Sequence, residues 1–273
     1  MRIRIVDAFT DRAFAGNPAG VLVLAGESFP ADEWMQSVAA EVNLAETAFV
    51  HPLPPGGPAD YALRWLTPAV EVALCGHATL ATAHVLQHPG TARFSTRSGV
   101  LTATAAESGA YMLDFPTARL TPMTLDPELA KALGADVVSV HHTGPGTDDL
   151  LVEVPSEAAV RDLAPDLIAV ARFSQRGIIV TAAAASPDTG YDFVSRFFAP
   201  AAGVAEDPVT GSAHTALAPF WSQRLGGRTE LVGFQASRRG GLVSVSLRGD
   251  RTQLTGKAVT TIDGELLIGP PPA

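Results

Sequence analysis

Apolar and polar residues alternate in short runs punctuated by Gly, Pro and polar turns, and only a few stretches repeat at helical spacing. Alternation and β-branched content predict strands at 3–9, 21–25, 47–51 and 61–66. Between the second and third of these, Trp34, Met35, Val38 and Val42 recur at helical spacing behind Pro30, which predicts a helix over 31–42. A second helix is expected from His77 to about Gln87. Three more strands follow, around Arg93, at 100–106 and at 111–115.

From Asp136 the same order returns. Strands are expected at 137–142 and 150–154, a short helix at 156–163, strands at 177–182 and 192–198, and a helix from Gly211 to about Leu225. Strands at 231–235, 243–247 and 254–261 close the chain, and 167–171 fits neither pattern. Local sequence agrees with a duplication. Arg64-Trp65-Leu66-Thr67-Pro68 leads to Cys75-Gly76-His77-Ala78, and Arg196-Phe197-Phe198-Ala199-Pro200 leads to Thr210-Gly211-Ser212-Ala213. The polar stretch 117–126, flanked by Pro116 and Pro127, reads as a linker. The expected domains are 1–118 and 119–273, with a last strand able to cross back to the first. Each glycine-opened helix presents free N–H groups that suit an anion.

Composition narrows the class. The 273 residues are 47% hydrophobic and 17% charged, enough for one large core or two small ones. A net charge of −9 repels nucleic acid and anionic membranes, so neither is expected as a partner. Cys75 is the only cysteine, so no intrachain disulfide can form, which fits a cytoplasmic protein. Asp7 interrupts any signal peptide, and no apolar run reaches the ~20 residues of a membrane span.

Four segments carry a more specific signal: Phe14-Ala15-Gly16-Asn17-Pro18-Ala19-Gly20-Val21, Asn43-Leu44-Ala45-Glu46-Thr47-Ala48-Phe49-Val50, Cys75-Gly76-His77-Ala78-Thr79 and Glu206-Asp207-Pro208-Val209-Thr210-Gly211-Ser212-Ala213. In this order, and across essentially the whole chain, they resemble the signature segments of the phenazine-biosynthesis PhzF-like family. The resemblance implies an α+β fold of the diaminopimelate epimerase kind. Two pseudo-symmetric domains would each wrap a bent, mostly antiparallel sheet or barrel around a central helix. It implies an isomerase without cofactor or metal, a homodimer, and a small carboxylate substrate such as a cyclic amino or hydroxy acid of the dihydro-hydroxyanthranilate type. By the same resemblance Glu46 moves a proton on substrate carbon, His77 assists, and Asp207 orients the substrate. Gly76, Gly211 and Ser212 then hold its carboxylate.

The residues themselves leave alternatives open. Proton transfer needs a carboxylate in a partly dry pocket, where burial disfavours charge, and the apolar or small neighbours Leu44, Ala45, Ala48 and Phe49 suit one. Otherwise Glu46 is a solvated acid opening a strand. His77 at a positive helix start should stay neutral and donate one hydrogen bond, or serve only as a cap. Asp207 before Pro208 also initiates a turn, and Gly76, Gly211 and Ser212 also cap helices.

Cysteine count excludes a racemase built on two thiols, because the second half has none. One base returns a proton on one face, so isomerisation is expected first. Epimerisation comes second, with Asp207, His77 or Cys75 as the further donor. A serine hydrolase could use Asp207, Ser212 and His214, but Thr210 and His214 occupy the flanking positions where a nucleophile elbow has glycines. A non-catalytic binder is the remaining rival. His84 and His88 read as a solvated helix face, Gly144-Pro145-Gly146 lacks a dinucleotide pattern, and His141-His142 have no evident partner.

Overall fold

The structure, a computed structural model, describes residues 1–270, so the end of the expected second domain, 271–273, lies outside the described residues. The chain forms two compact units. Met1–Asp114 joins a segment starting at Thr255, and Phe115–Leu254 forms the other.

In the first unit Arg2–Ala8 pairs antiparallel with Asn17–Val23, which pairs parallel with Glu46–Pro52. Glu46–Pro52 pairs antiparallel with Tyr61–Leu66, which runs parallel to Thr91–Thr96, which in turn pairs antiparallel with Gly99–Ala105. The strands pack around one helix, Gly76–Leu86, whose residues 77–83 are all buried. Its Ala and Thr side chains let the sheet approach closely. The threonine hydroxyls are satisfied inside the helix, where Thr79 Oγ1 donates to the Cys75 carbonyl at 2.6 Å and Thr82 Oγ1 to that of Ala78 at 2.7 Å. The amphipathic helix Asp32–Val42 covers the sheet from outside, placing Met35, Val38 and Ala39 against Leu22, Leu24, Phe49 and Leu66.

The second unit repeats this pairing order. Ser139–His142 and Asp149–Glu153 are antiparallel, Asp149–Glu153 and Gly177–Ala183 parallel, and Gly177–Ala183 and Phe193–Ala199 antiparallel. Phe193–Ala199 then runs parallel to Glu230–Gln235, which pairs antiparallel with Gly241–Arg248. The helix Gly211–Arg224 takes the place of Gly76–Leu86, and Trp221 Nε1 donates to Thr181 Oγ1 at 3.0 Å. Even the short hook strands match, with Glu71–Val72 on Tyr61–Leu66 and Val204–Asp207 on Phe193–Ala199. Register therefore aligns Glu46 with Gly177, Ala19 with Asp149 and Thr47 with Ile178.

Several expectations change. The polar stretch 117–126 is not a bare linker: Thr121–Met123 pairs with Ser139–His142, and Asp126 caps a helix over Pro127–Leu133. The unassigned 167–171 contains the one-turn helix Leu167–Val170, capped by Asp166. The single strand expected at 254–261 is two, Arg251–Gly256 and Ala258–Glu265. His84 and His88 are not a solvated face. Both are half-buried, His84 bonding Thr260 Oγ1 at 3.1 Å and His88, beyond the helix, meeting the Tyr61 ring edge-on at 5.8 Å. His142 does have a partner, Asp148, at 3.0 Å, and His141 packs on Phe220. Among the described residues, no helix is long and apolar enough to cross a membrane.

Candidate active site

Three chain starts converge in the first unit. Asn17 opens the second strand, Glu46 opens the third, and Gly76 and His77 open the buried helix behind Cys75. Glu46 Oε2 lies 3.2 Å from His77 Nε2, and the Glu46 side chain is 19% exposed. On the far side of the ring, Asn17 Nδ2 is 3.2 Å and Cys75 Sγ 3.6 Å from His77 Nδ1. An amide nitrogen can only donate, so Nδ1 accepts and the proton of a neutral imidazole sits on Nε2, facing the carboxylate. Burial drives the His77 pKa down to about 3, which keeps the ring neutral. The expected neutral histidine is present, and desolvation accounts for it.

Asn17 was missed from sequence, although it lies in one of the four quoted segments. Its placement depends on Gly16, which has φ +64° and whose α-carbon faces the Ala8 carbonyl. Glu46, Cys75 and His77 each offer a ligand atom, and these atoms lie within 4.8 Å of one another. Carboxylate, thiolate and imidazole are donors that zinc accepts, so among the described residues this trio could hold a metal.

In the second unit Asp207 ends a strand rather than lying in a loop, and its backbone pairs with Phe197. Its carboxylate accepts from Thr210 Oγ1. The fully buried Gln235 ties the turn together: its Oε1 accepts from Thr210 N and its Nε2 donates to the Asp207 carbonyl, both at 2.8 Å. Gly211 and Ser212 then open the helix. Ser212 Oγ accepts a 2.6 Å hydrogen bond from Arg176 Nη2, while Arg176 Nη1 binds Asp149.

This arrangement removes the hydrolase reading. His214 is fully buried, its Nδ1 bonds the Thr210 carbonyl at 2.8 Å, and its pKa falls to about 4 because it is desolvated. The serine's partner is a guanidinium, which cannot act as a base.

The buried histidines set an acid sensitivity. Unfolded histidine titrates near 6.5, whereas His77 and His214 bind protons natively only near 3 and 4. Below pH ~6.5 the unfolded chain thus binds more protons, and stability falls as pH falls. Asp149, raised to about 6 by burial, acts oppositely below that pH, but one carboxyl does not offset two imidazoles. The urea midpoint is therefore expected to drop steadily from pH 7 to pH 4.5. A flat or rising midpoint would contradict the burial of these rings.

Comparison with known proteins adds the following. A family model described as phenazine biosynthesis-like protein (PhzC-PhzF) matches residues 6–264. An uncharacterized isomerase of Halalkalibacterium halodurans is 46% identical over 276 residues, covering 97% of this chain and 98% of the relative. The crystal structure of a PhzF-family phenazine biosynthesis protein from Enterococcus faecalis superposes with a TM-score of 0.89 at 39% identity, covering 98% and 99% of the two chains. A hydroxyproline epimerase from Agrobacterium vitis, at 12% identity and a TM-score of 0.61 over 97% and 91% of the chains, shares the fold.

Proposed function

The chain belongs to the phenazine biosynthesis-like PhzC/PhzF family, and some of its relatives carry isomerase names; from that premise we propose that it is an isomerase in which Glu46 alone carries the migrating proton. The observation that carries this reading is the Glu46 carboxylate set against a neutral, buried His77 at a helix start. His77 lies 3.2 Å from the carboxylate, and because burial lowers its pKa to about 3 the ring is too weak a base to compete for the proton. In the reaction Glu46 takes a proton from a carbon next to a carboxyl or carbonyl group of the substrate. The C–H electrons move into the conjugated system and the double bond shifts. The same carboxyl group returns the proton to a second carbon on that face.

Oxidation state is unchanged across these steps, so the chemistry calls for no electron acceptor. By the family resemblance Gly76, Asp207, Gly211 and Ser212 are the proposed substrate-binding residues. The amides and hydroxyl would take a carboxylate, and Asp207 an amine or hydroxyl group. The second unit supports a one-base mechanism: Gly177 stands at the position matching Glu46, and a Cβ there would lie 2.1 Å from the Phe197 ring. That half therefore has no counterpart carboxylate.

Small cyclic and unsaturated carboxylic acids incubated with the protein in heavy water provide the test. Deuterium is expected at a substrate carbon, with a shifted double bond in the product. Exchange with inversion at a single carbon would favour epimerisation, and binding without exchange would reduce the protein to a binder.

A further inference from the structure

We propose that Arg176 is a further substrate-binding residue, a guanidinium clamp for the carboxylate, standing in the second unit directly before the position that matches the proton carrier of the first. The inference rests on the functional reading above and extends it to a residue that no quoted segment contains.

The internal repeat carries the argument. Glu46 and Gly177 hold equivalent register positions, and His77 and Ser212 are equivalent second residues of the two buried helices. In the first unit these two positions make the carboxylate–imidazole contact at 3.2 Å. In the second unit Gly177 cannot contribute a side chain, and Arg176 beside it reaches Ser212 Oγ at 2.6 Å instead. At the matching helix start one copy thus holds a carboxylate–imidazole contact, and the other a cation–hydroxyl pair whose cation comes from the residue next to the matching strand position.

The guanidinium is held for binding rather than left mobile. Nη1 binds Asp149, a fully buried carboxylate whose other oxygen, Oδ1, has no hydrogen-bond partner. Asp149 sits at the position matching Ala19, so this anchor also belongs to the second copy alone. The Phe197 ring lies 5.9 Å below the guanidinium carbon, a cation–π distance. Yet 40% of the Arg176 side chain remains accessible while Asp149 is sealed.

An arginine fixed from inside and open outward keeps N–H donors for a planar carboxylate, and its rigid fork loses little entropy on binding. Ser212 completes the set. Its oxygen already accepts from Arg176, so its own proton remains to be donated, next to the free amides of Gly211 and Ser212.

The test is binding, with benzoate and anthranilate as probes and benzamide and 2-aminobenzamide as their uncharged counterparts, each measured by titration calorimetry. The parent is expected to bind the acids at least tenfold tighter than the amides, and Arg176→Gln to lose that preference with at least tenfold weaker acid binding. Lys131→Gln removes the same formal charge from an exposed helix site and is expected to leave acid affinity unchanged. Should Arg176→Gln fail to melt cooperatively, Arg176→Lys carries the test, with at least threefold weakening expected because a point charge cannot bridge Asp149 and Ser212. Parent-like acid binding by the tested Arg176 variant overturns the proposal, as do equal binding of acids and amides, an equal loss in Lys131→Gln, or a parent that binds neither acid. Absence of deuterium exchange in a parent that still shows Arg176-dependent binding would reject the Glu46 reading and leave this one standing. Exchange with no dependence of binding on Arg176 would do the reverse.

Discussion

Glu46→Gln is expected to lower deuterium incorporation from solvent by about 10²–10⁴-fold, the usual contribution of a positioned acid–base group, while leaving the folded structure intact. Glutamine has the same shape, so it can occupy the same place beside His77, whose 3.2 Å contact with Glu46 the structure records. What disappears is the group that can take a proton from carbon. No other carboxylate stands in the matching place of the second unit to replace it. Exchange followed by NMR gives the rate, and a urea midpoint measured alongside shows that fold has not been lost. A glutamine variant that exchanges at the parental rate would sink the assignment of the base.

Gly16→Ala is expected to destabilise the protein by about 2–4 kcal/mol, combining the cost of a left-handed backbone with that of overpacking. The residue sits at φ +64°, and an added Cβ would meet the Ala8 carbonyl oxygen at 2.1 Å and Thr10 Cγ2 at 2.8 Å. The first obstacle is backbone, and it cannot yield cheaply because Ala8 is paired across the sheet with Asn17. Any shift also moves the amide that fixes the His77 tautomer. The variant should therefore lose exchange activity as well as stability, unlike Glu46→Gln. Chemical denaturation tests the first part, and a change under about 0.5 kcal/mol would show that the turn relaxes freely.

The repeated order of strands and helices was legible because alternation and helical spacing are local properties, and the half-buried strands of a wrapped sheet display them strongly. Glu46, His77 and Asp207 came from the resemblance, since a single acid or imidazole carries no pattern of its own. Arg176 stayed hidden for a physical reason. Its partners Asp149 and Ser212 are 27 and 36 residues away along the chain, and only the pairing of strands assembles the three. The available signal was faint: a cation directly before the glycine that opens a buried apolar strand. The split of the closing strand was illegible because no proline breaks residues 254–261 and β-branched residues lie on both sides of Gly256 and Lys257. Gly256 faces Phe9 so closely that a Cβ would lie 2.4 Å from that ring, a contact between residues far apart in sequence. The helix at Pro127–Leu133 was overlooked because two nearby prolines suggested a linker, whereas Pro127 occupies the first turn, where proline is tolerated.

The strand Ala258–Glu265 has a bearing on how the protein is made. It pairs with Arg2–Ala8, and Met1 N donates at 2.9 Å to the carbonyl of Leu266, 265 residues away, so Arg2–Ala8 finds one of its neighbours only after the intervening residues have been made. During synthesis Arg2–Ala8 must therefore wait with an uncovered edge until residues 258–265 have followed it. Nascent chains halted before residue 258 should remain protease-sensitive over residues 1–100, whatever the state of the segment that follows.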